Sequence, residues 1–383
     1  MSAGGTVVVT DLESRGALAA CRSLARAGYR VVGASSTRAA PGRWSWLLAR
    51  RLLLPDPRRE PSAFVDALAA SAGCADALVV ASDATLLAVS AGRDRLDPHL
   101  RTGLPPHDVV LRVTDKLAVG EAAASLGLAP PRTVACATAA EVKAAAAQLG
   151  FPLVLKPPRS VAADGGVQVE RRSRHVADPA ALDSAVEELG PPLLCQEALT
   201  GTIHSVAGVL AGGALRAAVV ARYRRTWPAD AGAAAFAETV DPDEDLVRPV
   251  ERLVAGLGWS GIFEVELIRR PDGAYAVIDL NPRVYGSLAL AEAAGVPLAT
   301  IWCEMLLGRA SGNFTAAVPG FAYRCEDFDA RNLLLDLSRR RGGAALEVLR
   351  PRRHVVHAYA DLHDPMPFVV RWVSGILRRV RRR

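Results

Sequence analysis

The sequence predicts an α/β chain: a parallel-sheet N-terminal domain followed by an α+β remainder built on antiparallel strands. Three observations predict it. An apolar run, TVVVT (6–10), is followed by a helix-like stretch and a second apolar run, YRVVGA (29–34), the β-α-β order of a parallel sheet. Beyond residue 190, strand-like runs are joined by short glycine turns, the sign of hairpins. The 383 residues, half of them hydrophobic, suffice for two or three cored domains.

In chain order, strand 6–10, helix 16–27 and strand 29–34 open a Rossmann-like unit, and ALVVAS (77–82) continues its sheet. Asp83 stands at the C-terminal end of that strand, where open α/β sheets bind ligands; it stands equally where the N-cap of a helix over 84–91 belongs. No G-x-G-x-x-G follows the first strand, which argues against a dinucleotide site. A new unit begins after the Pro-rich stretch 104–106, with Thr114 placed to cap a helix that Pro130-Pro131 follow. Strands near 132–135 and 152–157 flank a helix over 138–149. Runs at 193–197, 203–210 and 214–222 read as antiparallel, with Gly212-Gly213 as a turn. Helix 243–257 and a hairpin over 261–281 follow. The expected domains are 1–112, 113–192, 193–310 and a less regular C-terminal extension, 311–383.

Composition excludes several classes. The net charge is +6, but residues 371–383 hold six arginines and no acid, so the rest of the chain is neutral and a broad nucleic-acid surface is not expected. The six cysteines (21, 74, 136, 195, 303 and 325) form no C-x-x-C and read as buried, reduced thiols of a cytosolic protein. MSAGGTVVVTDLESRG reaches charge too soon for a signal peptide, and no apolar run has bilayer length.

Candidate chemistry starts in GIFEVELIRRPDGAYAVIDLNPR (261–283). Side chains alternate along a strand, so Glu264 and Glu266 share a face, as do Asp279 and Asn281. A two-residue Asp272-Gly273 turn sets Glu266 opposite Asp279 and Glu264 opposite Asn281. Like charges in that position destabilise a sheet, unless a divalent cation lies between them. All-oxygen donors suit Mg²⁺ (or Mn²⁺) far better than zinc. Pro271 also permits a three-residue turn with a bulge, which shifts the register by one. A solvated acidic strand is the plain alternative.

Only three of the 46 basic residues are lysines: Lys116, Lys143 and Lys156. Lysine and arginine are not interchangeable at a phosphate, so a retained lysine is informative. Lys143, in EVKAAAAQLG, reads as a solvated helix residue. Lys156 ends FPLVLKPP and precedes the loop RSVAADGGVQV, whose backbone N–H groups could cover phosphate oxygens. Downstream, LLCQEALTG ends an apolar strand in Gln196-Glu197, placed to read an adenine edge, with Leu199 to pack on the ring.

The order Lys116, Lys156, Gln196-Glu197-x-Leu199-x-Gly201, Glu266, Asp279-x-Asn281-Pro282-Arg283 resembles the ATP-grasp superfamily. Within it the chain resembles the carbamoyl-phosphate-synthetase-like ATP-binding proteins and the stand-alone carboxylate–amine ligases, over roughly residues 1–310. The resemblance implies a pre-ATP-grasp domain followed by a two-subdomain ATP-grasp fold. It implies ATP and Mg²⁺ as cofactors, and a small-molecule carboxylate and amine as substrates. It assigns phosphate binding to Lys116 and Lys156, adenine binding to Gln196, Glu197 and Leu199, metal binding to Glu266, Asp279 and Asn281, and contact with the γ-phosphate or acylphosphate to Arg283. Asp279 stands where many members carry Glu, His204 falls where a ribose-binding acid is common, and Asp164 lies in the phosphate loop. A catalytically degenerate nucleotide-binding regulatory or scaffold protein is the alternative. A carboxylase-type ligase is disfavoured because no biotin-attachment segment is seen.

The expected reaction is attack of a carboxylate on the γ-phosphorus, then of an amine on the acyl carbon. Arg222, Arg225, Tyr285 and Ser287 are the candidates for facing the substrate, with a solvated strand as the alternative for the arginines. In FVVRWVSGILRRVRRR (368–383), apolar residues recur at helical spacing and arginines fill the other face. Two readings stand equal: an interfacial helix drawn to anionic lipid, or a C-terminal helix docked on the domain. A homodimer is left open. His354, His357, Asp361, His363 and Asp364 fit no zinc template and read as surface residues.

Overall fold

The computed structural model describes residues 4–73, 75–164, 167–170, 173–229, 232–309, 314–339, 342–350 and 352–380. The N-terminal unit comprises β1 (Gly4–Val9), α1 (Arg15–Arg26), β2 (Tyr29–Ser35), β3 (Arg50–Leu53), α2 (Pro61–Ala72), β4 (Ala77–Val79) and α3 (Asp83–Ala91). Its sheet is parallel throughout, in the order β3-β2-β1-β4. β4 is shorter than expected because the chain has already turned by Ser82, whose hydroxyl accepts from the Thr85 N–H and caps α3. Asp83 is therefore the first residue of α3 rather than its cap.

Two helices lead away from this unit, α4 (His107–Val113) and α5 (Lys116–Ala124). The cap of α5 is Asp115, which accepts from the N–H groups of Leu117 and Ala118; Thr114, expected in that role, instead closes α4. A carboxylate outcompetes a hydroxyl at this position because it also favours the positive end of the helix.

The next unit is a small antiparallel sheet. It contains β5 (Thr133–Cys136), α6 (Ala139–Leu149), β6 (Leu153–Lys156), β7 (Val161–Asp164), β8 (Val167–Glu170), β9 (Arg174–Val176), α7 (Leu182–Leu189) and β10 (Leu193–Glu197). The sheet order is β5-β10-β6-β9, and Leu153, Leu155, Leu193 and Cys195 belong to a core of its own. β10 was expected to open the large antiparallel region, but it lies between β5 and β6. Strand pairing here follows space rather than chain order, so the change of sheet falls after Glu197. The loop expected over phosphate is a separate two-stranded ribbon, β7-β8, with Asp164 opposite Val167. Residues 165–166 and the direction of the Asp164 side chain lie outside what the structure describes.

The large sheet follows: β11 (Thr202–Ala211), β12 (Ala214–Trp227), β13 (Ala233–Thr239), α8 (Glu244–Gly256), β14 (Gly261–Arg269), β15 (Tyr275–Asn281), α9 (Leu288–Ala293) and α10 (Leu298–Leu306). The C-terminal extension adds β16 (Thr315–Ala316), β17 (Ala322–Arg324), α11 (Glu326–Ser338), α12 (Gly342–Leu349), β18 (Val355–His357) and α13 (Met366–Val380). The order is β15-β14-β11-β12-β13-β17-β18, with β16 beside β12. The extension thus completes the sheet with β17 and β18.

Apolar packing joins the first unit to the large sheet. One core runs from Val8 and Leu78 to Val206, Phe263 and Val265, and another from Val7 and Val9 to Val209, Val284 and Leu298. The first turn of α1 reaches the loop after β15 because residue 16 is glycine: a Cβ there would lie 2.2 Å from the Tyr285 carbonyl oxygen. Cys21, Cys136, Cys195, Cys303 and Cys325 are free and buried, as expected; Cys74 lies outside the described residues.

Candidate functional site

The hairpin β14-β15 builds the acidic centre. Glu266 pairs with Asp279 and Glu264 with Asn281, the register expected from the sequence, but reached differently. The turn is three residues long, Pro271-Asp272-Gly273, closed by the Arg270–Ala274 pair, with Gly273 at φ 89°. Alone it would set Glu266 opposite Ile278. A bulge at Ile278 then adds one residue to β15 and restores the pairing.

Glu264 is buried and Glu266 is partly so. The Tyr223 hydroxyl lies 2.9 Å from Glu264 Oε1 and 3.0 Å from Glu266 Oε1. Glu264 also accepts from Asn281 Nδ2 at 3.2 Å and from Ser287 Oγ at 3.3 Å. Both carboxyls are pushed above their ordinary range. Loss of hydration is the larger cause for each, and for Glu266 the charges of Glu264 and Asp279 add to it. Tyr223 was not anticipated; it comes from β12, more than forty residues from either glutamate. Tyr223→Phe is expected to lower stability by about 1–3 kcal/mol in denaturant unfolding, because buried Glu264 and partly buried Glu266 lose the one hydroxyl they share.

Two lysines flank this centre. Lys116 Nζ, at the start of α5, sits 2.5 Å from Asp279 Oδ1. Lys156 Nζ, buried at the end of β6, donates to the Ile278 carbonyl at 3.0 Å, the peptide the bulge puts out of the ladder. Burial lowers Lys156 to about 8, helped by Lys116 and opposed by Asp279 and Glu266. Burial alone would raise Asp279, but the two lysines outweigh it and hold the carboxyl below its usual value. Lys116, Lys156, Thr133, Gln196 and Asp279 line a cavity of about 260 Å³ between α5, the small sheet and β15. Gln196 Nε2 donates to Thr133 Oγ1 at 2.7 Å.

Oxygen donors from Glu264, Glu266, Asp279 and Asn281 gather on one face of the hairpin, a donor set that fits Mg²⁺. The charges of Glu264 and Asp279 add to the loss of hydration in raising Glu266, a repulsion that a divalent cation would relieve. As the side chains stand, no three acidic, His or Cys groups among the described residues converge on one point, and Asp279 is held by Lys116. Glu264 joins the expected set through its pairing with Asn281.

Arg283 ties the centre to the N-terminal unit. Its Nε lies 2.7 Å from Asp83 Oδ1, and its Nη2 donates to Asp83 Oδ2 at 3.3 Å and to Asn281 Oδ1 at 3.0 Å. Asp83, not the cap of α3, fixes an arginine 200 residues away. The Asp11 carboxylate holds this corner, accepting from Ser82 Oγ and Thr85 Oγ1 at 2.8 Å each.

Other expected residues are not brought together. The Glu197 carboxylate accepts from Arg132 N at 2.9 Å and Arg132 Nε at 2.7 Å; neither it nor Leu199 lines the cavity. His204 pairs with Leu267, so it shares the sheet face opposite Glu266; its ring meets Tyr275 edge-on and its Nδ1 lies 3.1 Å from the Thr202 carbonyl oxygen. Arg222 is bound to Glu238, and Arg225 forks onto Asp329 at 2.9 and 2.7 Å, so neither arginine is free for a substrate carboxylate. Tyr285 is buried, and Ser287 is spent on Glu264. Asp364, expected at the surface, is fully buried against Arg22 and Ser45.

A parallel-sheet domain, a small antiparallel sheet and a large one, with lysines, acids and an arginine at their junction, define the class: the chain has an ATP-grasp fold. Residues 190–327 match the model of a family described as ATP-grasp in the biosynthetic pathway with Ter operon. Among solved structures, N5-carboxyaminoimidazole synthetase from Staphylococcus aureus complexed with ADP is similar at 13% identity and a TM-score of 0.65, covering 84% of this chain and 82% of that one. L-amino acid ligase from Bacillus licheniformis is similar at 15% identity and 0.60, covering 84% and 79%. Biotin carboxylase from Campylobacter jejuni is similar at 16% identity and 0.61, covering 80% and 71%. No curated protein sequence matches the chain.

Proposed function

We propose that the chain is an ATP- and Mg²⁺-dependent carboxylate–amine ligase that forms an amide through an acylphosphate and releases ADP and phosphate. The observation that carries this reading is the meeting of Lys116, Lys156 and the acidic hairpin at one cavity. Lys116 and Lys156 would hold phosphate oxygens of ATP, so Lys116 must leave Asp279 when the nucleotide enters. Glu264, Glu266, Asp279 and Asn281 would hold Mg²⁺, which supplies charge neutralisation at the phosphates. Arg283, kept in place by Asp83, would meet the charge of the transferring phosphoryl group. The substrate carboxylate oxygen attacks the γ-phosphorus as the bond to ADP breaks. The amine nitrogen then attacks the acyl carbon, phosphate leaves, and the amine gives up a proton.

The similar structures, among them an amino acid ligase and a synthetase with ADP bound, support the nucleotide and the reaction class. A screen of acid and amine pairs for ADP release tests the proposal. Lys156→Ala is expected to lose about 10²–10³-fold in turnover. ATP binding without turnover on any pair would favour the regulatory reading, and full activity of Lys156→Ala would remove the site assignment.

A further inference from the structure

No helix among the described residues is long and apolar enough to cross a membrane. The C-terminal helix docks on the protein, the second of the two readings of its sequence. α13 docks by one face: Phe368 packs on the core beside Tyr359, and Arg371 pairs with Asp327 and lies over the Tyr359 ring. Val369, Trp372 and Val373 are all exposed, at the i, i+3, i+4 spacing of one helical stripe, which begins beside the docked Phe368, whose ring centroid lies 6.1 Å from that of Trp372.

This stripe is not alone. α13 packs against the 3-10 turn Pro41–Trp44. Buried Asp364, two residues before α13, accepts from Ser45 Oγ at 2.9 Å and from the Trp46 N–H at 2.9 Å. Trp44 and Trp46 are 47% and 62% exposed, and Leu362 is 97% exposed. Six large exposed apolar side chains, three of them tryptophan, thus come from two regions far apart in sequence, 44–46 and 362–373. Scattered exposed apolar residues need no explanation, but exposed ones carried on segments that pack together through a buried carboxylate do.

Arginines lie beside them. Arg51 donates to the Arg43 and Ser45 carbonyl oxygens at 2.8 and 2.7 Å, and burial, with the charges of Arg38 and Arg51, disfavours the Arg43 charge against the opposing charge of Glu13. Arg378 and Arg379 follow later in α13. The acids on the docked side are already engaged, Asp327 by Arg371 and Asp361 by Arg26.

We propose that Trp44, Trp46, Leu362, Val369, Trp372 and Val373 form one apolar face, bordered by arginines, that seats the protein on an anionic lipid surface. Tryptophan rings settle at the headgroup level, where an apolar body and a polar N–H are both satisfied, and neighbouring arginines meet lipid phosphates. This inference does not depend on the proposed reaction.

Co-sedimentation of the full chain with vesicles tests it. Binding is expected to vesicles of equal parts phosphatidylglycerol and phosphatidylcholine. It should fall about ten-fold on phosphatidylcholine alone or in about 0.5 M salt. The double variant Trp46→Ser/Trp372→Ser should lose about ten-fold on the anionic vesicles. Should that variant fail to fold, tryptophan fluorescence of the unaltered chain is read with brominated lipid, and quenching is expected. Equal binding by the unaltered and variant chains, no quenching, or a vesicle-free dimer that the double variant abolishes would overturn the proposal; the last would make the face a contact between copies.

Discussion

Glu266→Gln should lose about 10³-fold in ADP release while the protein becomes harder to unfold in the absence of nucleotide. The two effects have one cause. Glu266 faces Asp279 across the hairpin and shares Tyr223 with Glu264, so three carboxylates crowd one face of the sheet. Loss of hydration and the neighbouring charges already hold the Glu266 carboxyl above its ordinary range. Glutamine keeps the shape and can still accept from Tyr223, but brings no charge. The gain is expected to be about 1 kcal/mol in denaturant unfolding. Loss of activity follows because an amide is a poor substitute for a carboxylate at a hard cation. A variant that keeps its activity, or that loses stability, would contradict this account of the hairpin.

Arg283→Ala should damage both stability and turnover, and in a way that separates it from Asp83→Asn. Removing Arg283 leaves Asp83 largely buried and without its fork, and leaves Asn281 without its donor. Breaking such a pair costs about 3–5 kcal/mol. Asp83→Asn keeps a partner of the same shape beside the guanidinium, so its stability cost should be smaller. Its turnover should still fall, since Arg283 is no longer held by two charged contacts and its position over the phosphoryl group loosens. Arg283→Lys should not rescue, because an ammonium cannot fork onto Asp83 and reach Asn281 together. Unfolding curves and ADP release on the three variants check the order; equal stability for Arg283→Ala and the parent would show that the pair holds nothing.

Much of the site was legible because its signals are local. Alternation along one hairpin put Glu264, Glu266, Asp279 and Asn281 on one face, and the scarcity of lysine singled out Lys116 and Lys156. What could not be read depends on partners far away in sequence. Tyr223 reaches the glutamates from another strand of the large sheet, and Asp83 meets Arg283 across 200 residues. The arginines after residue 221 looked available because Glu238 and Asp329, which bind them, arrive from β13 and α11. Glu197 likewise looked free until β10 was found beside β5, which brings Arg132 to it. A run of charge in sequence states that ions are present, not that they are unpaired. In the first unit, the apolar runs fixed the parallel sheet, while the ends of its elements depended on which polar side chain won each cap.

The bulge at Ile278 makes the hairpin unusually sensitive to editing of its length. Deleting Ile278 would leave Asp279 opposite Glu266, because the three-residue turn alone sets that spacing, and the acids would stay in step. The carbonyl that receives Lys156 would vanish with the deleted peptide unit. One missing residue would then uncouple two halves of the site that no single substitution separates, leaving the place for the metal while unseating a lysine. A gap of one at this point is a change of chemistry rather than a trimmed loop.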